Sequence, residues 1–155
     1  MTDDFTPAVH EGRKVWASRV IAAPAETIFD LLTDPARHSE IDGSGTVQKS
    51  AVSGPPRLEM GSRFGMKMRM GPFPYGIKST VLEYEPNRLI AWGHLGKHRW
   101  RYELEPVDDD HTKVTETFDY STAAIPSALE LMGYPKRHAT NIEKTLERLD
   151  AAVTT

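Results

Sequence analysis

Cysteine is absent from the 155 residues. Disulfides, thiolate metal sites, iron–sulfur clusters and cysteine nucleophiles are thereby excluded. Long apolar runs are lacking too: no stretch approaches the roughly 20 residues a helix needs to cross a bilayer, so no membrane span is expected. Nor does one sign of charge dominate. Nineteen basic and 22 acidic residues leave a net charge of −3. That balance gives no support to phosphate neutralisation as a main binding force, and no nucleic-acid partner is expected. The opening residues, Met1-Thr-Asp-Asp-Phe-Thr-Pro7, are acidic and polar where a secretory signal is basic and then apolar. A soluble cytoplasmic protein is the expectation.

What is present points to a packed fold. Hydrophobic residues make up 39% and charged residues 26%, with three tryptophans, which excludes a disordered tail or low-complexity spacer. A chain of this length buries roughly 70% of the surface its unfolded form exposes. Residues 1–13 read as a polar leader and 14–153 as a single domain.

Lys14 to Ala22, with Val15, Trp16, Val20 and Ile21, has the β-branched and aromatic content of a strand. Pro24 suits a first helical position, where its missing N–H costs nothing. Ile28, Leu31 and Leu32 follow at helical spacing, and Asp34-Pro35 then stops that helix and caps another. Two short helices, near 24–33 and 35–40, are expected. Glycines and prolines next punctuate strands near 45–52, 62–70, 75–84, 88–94, 98–105 and 112–120. Connections this short force antiparallel neighbours. Near the end, Ala139, Ile142, Leu146, Leu149 and Val153 step by three and four onto one helical face. A helix over 135–151 spans about 25 Å at 1.5 Å per residue, and only a sheet offers so long an apolar surface. The expected fold is α+β: a curved antiparallel seven-stranded sheet, one N-terminal strand plus a six-stranded meander, around a long C-terminal helix.

Strict alternation puts Phe64, Met66, Met68 and Met70 on one strand face and Arg63, Lys67 and Arg69 on the other. His98, Trp100, Tyr102 and Leu104 repeat the pattern, as do Val114, Glu116, Phe118 and Tyr120. Methionine is flexible and polarizable and suits surfaces that accept varied apolar shapes. The pattern fits a ligand cavity and a packed core alike. The polar set His98, Tyr102 and Glu116 weighs for the cavity, because a dry core loses about 1–3 kcal/mol for each buried unsatisfied group.

The order of elements, with Val20-Ile-Ala-Ala-Pro-Ala-Glu-Thr-Ile-Phe-Asp-Leu-Leu32, Val81-Leu-Glu-Tyr-Glu-Pro-Asn-Arg-Leu-Ile-Ala-Trp92 and Thr112-Lys-Val-Thr-Glu-Thr117, resembles the START-like or SRPBCC superfamily. It looks most like the polyketide cyclase/dehydrase branch. The likeness covers about residues 14–152, and its motifs are structural. The resemblance implies a helix-grip fold and a hydrophobic cavity between sheet and long helix, in members that bind lipids, polyketides, hormones or other apolar molecules. It carries no shared catalytic set, and fold alone does not assign function.

Each candidate chemistry competes with a plainer role. His94 and His98 flank Leu95-Gly96-Lys97, where Gly96 marks a hairpin tip and no third ligand is near, so neither metal nor cofactor is expected. Glu116, facing an apolar space, would have a raised pKa and could serve with His98 and Tyr102 in proton transfer. The plainer account outweighs that: a bulge that reverses parity, or a structural ion pair with an inward arginine. No G-x-S-x-G elbow or G-x-G-x-x-G loop occurs. Met132-Gly133-Tyr134-Pro135 interrupts the last helical stretch, as a lid over a cavity mouth with Tyr134 and His138 at the entrance or as a packing kink.

Three functions follow. The first is binding of a hydrophobic small molecule by Phe64, Met66, Met68, Met70, Trp100, Tyr102, Phe118, Met132, Tyr134 and His138, with His98 and Glu116 orienting a polar group. The second is an enzyme that cyclises or dehydrates in the same cavity, with Glu116 or His98 moving the proton. The third is a co-chaperone-like interaction protein with a filled core. A monomer or homodimer suits each.

Overall fold

A computed structural model describes residues 5–42, 47–70, 72–93 and 97–154, apart from the side chains of 47–52, 68–70 and 134. The period-two segments all form strands, to within three residues at each end: β2 (Lys14–Ile21), β3 (Val47–Ser53), β4 (Arg63–Met70), β5 (Phe73–Glu85), β6 (Leu89–Gly93), β7 (Arg99–Asp108) and β8 (His111–Asp119). Every neighbour is antiparallel, in the order β2-β8-β7-β6-β5-β4-β3. Here the expected helix-grip architecture is observed.

The sheet has one strand more than the seven expected. β1 (Phe5–Glu11), within the stretch read as a polar leader, pairs with β2 at the sheet edge. Proline cannot donate to a ladder, so Pro7 needs an irregular place in this strand. At this edge the register shifts between Thr6 and Val9, so a bulge takes up the proline. The Ala8 amide then donates to Glu143 Oε1 of the last helix at 2.8 Å. Gly12, at φ 58°, closes the two-residue turn into β2, a conformation glycine adopts freely.

Helix α1 (Ala25–Leu32) buries Ile28, Phe29, Leu31 and Leu32. Pro24 proves to be its cap, at φ −64° and ψ 149°, and not its first helical residue. Asp34 caps as expected: its carboxylate accepts from the Ala36 amide at 3.1 Å, opening a 3-10 turn (Pro35–Arg37) that leads into α2 (His38–Ile41). Near the C-terminus, α3 (Pro126–Leu131) ends at Gly133, φ 74°, before α4 (Tyr134–Thr154) begins.

The inner face of the sheet carries the core. Helix α4 lies on β2, with β1 and β8 to either side, and its Ile142, Leu146 and Leu149 are fully buried. Val15, Ala17, Val114 and Phe118 meet it there, also fully buried. The strands β4–β7 receive instead the segment from α1 to α2, through Phe29 on Tyr84 and His38 on Phe64 and Trp92.

Candidate binding site

The half of the inner face that α4 leaves to β4–β7 is not closed along its length. On β5 the inward side chains run from Val81, 1% exposed, through Ser79 and half-buried Ile77, to Tyr75 at 37% and Phe73 at 73%. On β7 the run passes from buried Leu104 and Tyr102 to half-buried Trp100, and His98, just before the strand, is half-buried too. Phe64 of β4 is buried, and Met66 beyond it is half-buried. The three strands therefore bury the same end of their inner rows and open the other, towards the β4–β5 turn and the start of α4.

Rings line this opening in two groups. Phe64, His38 and Trp92 pack together, with His38 stacked on Trp92 at 5.0 Å and Phe64 edge-on to Trp92 at 5.7 Å between ring centroids. Trp100 and His138 pack on Phe118 at 4.8 and 4.5 Å, and His98 meets Phe118 edge-on at 5.3 Å. Tyr102 touches Trp92 at 5.4 Å and so belongs to the first group. Beneath α4 itself the side chains are fully buried, and the less buried part of the inner face lies beside the helix, over β4–β7.

At the inner end stands one ionisable pair. Cross-strand register sets Tyr102 of β7 opposite Glu116 of β8 and Glu116 opposite Ala17 of β2. The Tyr102 hydroxyl donates to Glu116 Oε1 at 2.7 Å, and both residues are buried. Glu116 Oε2 has no hydrogen-bond partner among the described residues. Burial raises the Glu116 carboxyl to about 8; the tyrosine hydrogen bond opposes that, and the nearby Asp42 charge adds to it. The Tyr102 hydroxyl is likewise held well above 10 by burial and by Glu116. At neutral pH Glu116 is largely a neutral acid. With Oε1 accepting from tyrosine, its own proton is free to sit on Oε2 and donate outward.

Of the residues singled out from sequence, Phe64, Met66, His98, Trp100, Tyr102, Glu116, Phe118 and His138 all fall on or against this inner face. Phe64 joins the His38–Trp92 group, away from Trp100 and Phe118. Met132, just beyond α3, is 57% exposed at the rim. The side chains of Met68, Met70 and Tyr134 lie outside those described, as does His94. Sequence reasoning missed Trp92, His38 and Asp42. Alternation with Ile90 would have turned Trp92 inward, whereas His38 and Asp42 gain their place only when α2 docks, its end held by Arg148 of α4 donating to the Asp42 carbonyl.

The outer face is different in kind. Arg99 and Arg101 both reach Glu83 at 3.3 Å, and Arg101 also meets Glu103 at 2.6 Å. These pairs line a depression of about 560 Å³ with Trp16 and Lys14. Acid and base alternate there, and the arginines are held by carboxylates, as on an ordinary solvated face.

A model of the family described as polyketide cyclase/dehydrase and lipid transport matches residues 13–154. An uncharacterised protein of Mycobacterium tuberculosis, Rv0088, is 44% identical over 140 residues, 88% of this chain and 62% of that protein. This chain thus spans less than two thirds of the relative's length. Among solved structures, a Rhodobacter sphaeroides protein superposes with a TM-score of 0.71 at 19% identity, covering 94% of this chain and 95% of its own. The Aha1 dimer of Colwellia psychrerythraea gives 0.63 at 20% identity, over 90% and 95%. At these identities the structural likenesses speak for the fold alone.

Proposed function

The chain belongs to the polyketide cyclase/dehydrase and lipid transport family, and on that premise we propose that it binds a hydrophobic small molecule on the open part of its inner face. The observation that carries this reading is the graded exposure along β5 and β7, from sealed Val81 and Tyr102 to open Phe73 and Trp100. A uniformly packed core has no such gradient. An apolar molecule entering there covers Met66, Trp92, Trp100 and His138 and gains roughly 25 cal/mol for each Å² of apolar surface removed from water. Its polar end meets the Glu116–Tyr102 pair. A neutral carboxylic acid donates, so a carbonyl or hydroxyl on the ligand is preferred to a carboxylate, which the Asp42 charge also disfavours.

The test is uptake of an apolar fluorescent probe, followed by native mass spectrometry of protein from cells. Saturable binding that Trp100→Ala weakens at least tenfold is expected, together with an unfolding temperature that rises with ligand. Absence of both probe uptake and retained ligand would overturn the reading.

Proton transfer by Glu116 is a second reading, favoured by its buried carboxyl being raised into the working range of a general acid–base. Glu116→Gln then abolishes turnover and leaves probe affinity within about twofold. Equal turnover of the variant and the parent would remove it.

A further inference from the structure

Among the described residues, five of the seven exposed large hydrophobic side chains belong to segments at one end of the molecule: Phe73, Tyr75, Ile125, Leu131 and Met132. The register fixes that geography. Phe73 pairs with Met70 at the β4–β5 turn, and Arg99 pairs with both Gly93 and Asp119 at the matching ends of β6 and β8. Thr122 donates to the Lys97 carbonyl at 2.7 Å, and Arg13 holds Glu130 of α3 at 3.0 Å. The β1–β2, β4–β5 and β6–β7 turns and α3 therefore share one end. Scattered exposed apolar groups are ordinary; a cluster of this size marks a contact surface.

Helix α3 is the oddest part of it. None of its six residues is buried, and Leu131 is 91% exposed. So short a helix is marginal in water, and here half-buried Leu129 on the core and the Arg13–Glu130 pair hold it while Leu131 points away. Charge identifies the partner. Exposed Lys97, Lys136 and Arg137 lie by the α3 segment, Arg137 donating to the Met132 carbonyl at 3.2 Å, and exposed Lys14 stands at the β1–β2 turn of the same end. Lys78 and Lys97 also line a depression of about 710 Å³ on the outer face, together with Arg99, which is paired with Glu83. At the opposite end the β7–β8 turn presents Asp108, Asp109 and Asp110, and Glu85 and Glu105 lie near. Glu11, Asp119 and Glu130 share the first end and Arg88 and Lys113 the second, yet cations outnumber acids at the first and acids outnumber cations at the second, although the net charge is only −3.

We propose that this end docks on an anionic lipid bilayer, with Ile125, Leu131 and Met132 entering the interfacial layer and Lys97, Lys136 and Arg137 facing the headgroups. Apolar side chains of this size supply burial at the acyl boundary, and each cation near an anionic leaflet adds about fivefold in affinity. The acidic end faces away and opposes docking in the reverse orientation. Exposed Phe73 and the open inner face lie at the docked end. The surface is nevertheless independent of the ligand reading, because docking requires no bound molecule.

The experiment is co-sedimentation of the whole chain with vesicles of phosphatidylcholine alone and of phosphatidylcholine with phosphatidylglycerol, at low and high salt. Binding to the anionic vesicles only, weakened by salt, is expected. The double variant Leu131→Asp/Met132→Asp, whose sites are exposed and whose fold circular dichroism checks, should bind at least tenfold more weakly. Lys97→Gln with Lys136→Gln should lose on the order of fivefold for each charge. No binding to anionic vesicles, or equal binding by parent and aspartate variant, would overturn the proposal. So would a dimer that the aspartate variant dissociates without any vesicle binding, since the patch then belongs to a second copy of the chain.

Discussion

Glu116 is where burial and chemistry meet most directly. Its carboxyl is raised to about 8 from 4.5, so between those values the folded protein binds a proton that the unfolded chain has released. The resulting stability is fully present below 4.5 and is lost as pH rises through about 8, with a slope of up to about 1.4 kcal/mol per pH unit. His38 acts in the opposite sense. Burial depresses it below 6.5, so its contribution is present above 6.5 and is lost as pH falls. The window from 6.5 to about 8 isolates the glutamate. Denaturant titrations across it should show stability falling with pH in the parent and level in Glu116→Gln, which keeps an acceptor for Tyr102. Parallel curves would mean that Glu116 is not held neutral. The same Trp100 that lines the open end is the residue whose truncation should cost ligand and little else, because it is only half-buried.

Among the elements, β1 shows how a segment poor in strand signal becomes a strand. Its proline falls in a bulge at an edge, where a missing donor leaves no neighbour unsatisfied. The Ala8 amide finds Glu143 on α4, so helix and edge strand are coupled. Glu143→Ala should cost about 1–2 kcal/mol, the worth of a partly buried bond to a charged acceptor. Hydrogen exchange at Ala8 should quicken selectively, and unchanged exchange there would separate the two elements. The interrupted tail has its own logic. Gly133 takes φ 74°, which ends α3 and lets α4 start along a new line. That break leaves α3 at the margin of the core, touching it through Leu129, while α4 covers β2 and β8.

In the whole molecule, two unequal halves share one sheet. On the α4 side, β2 and β8 bury nearly every inward side chain; on the other side, β4–β7 are sealed by α1 and α2 at one end only. Local opening follows buried contacts, so amides of β8 from Val114 to Phe118 should exchange last, close to global unfolding. Those of β5 near Phe73 to Gly76 should exchange orders of magnitude sooner, although both stretches carry ladder pairing. Saturating ligand should slow the second group and leave the first alone. Uniform protection across the sheet would contradict an open inner face.

Alternation and helical spacing determined much of this without coordinates. They act locally, through the two faces of a strand and the one stripe of a helix, and so β2 to β8, the Asp34 cap and the apolar line of α4 were legible. The inward parity of Phe64, Trp100, Tyr102, Glu116 and Phe118 was legible for the same reason. Tertiary structure alone decided which inward residues meet. The Tyr102–Glu116 bond depends on cross-strand register, the Asp42 charge on the docking of α2, and the β1 edge on a glutamate 135 residues away. Whether the inner face is filled or open depends on where α4 comes to rest, a sum of long-range contacts that no local pattern encodes.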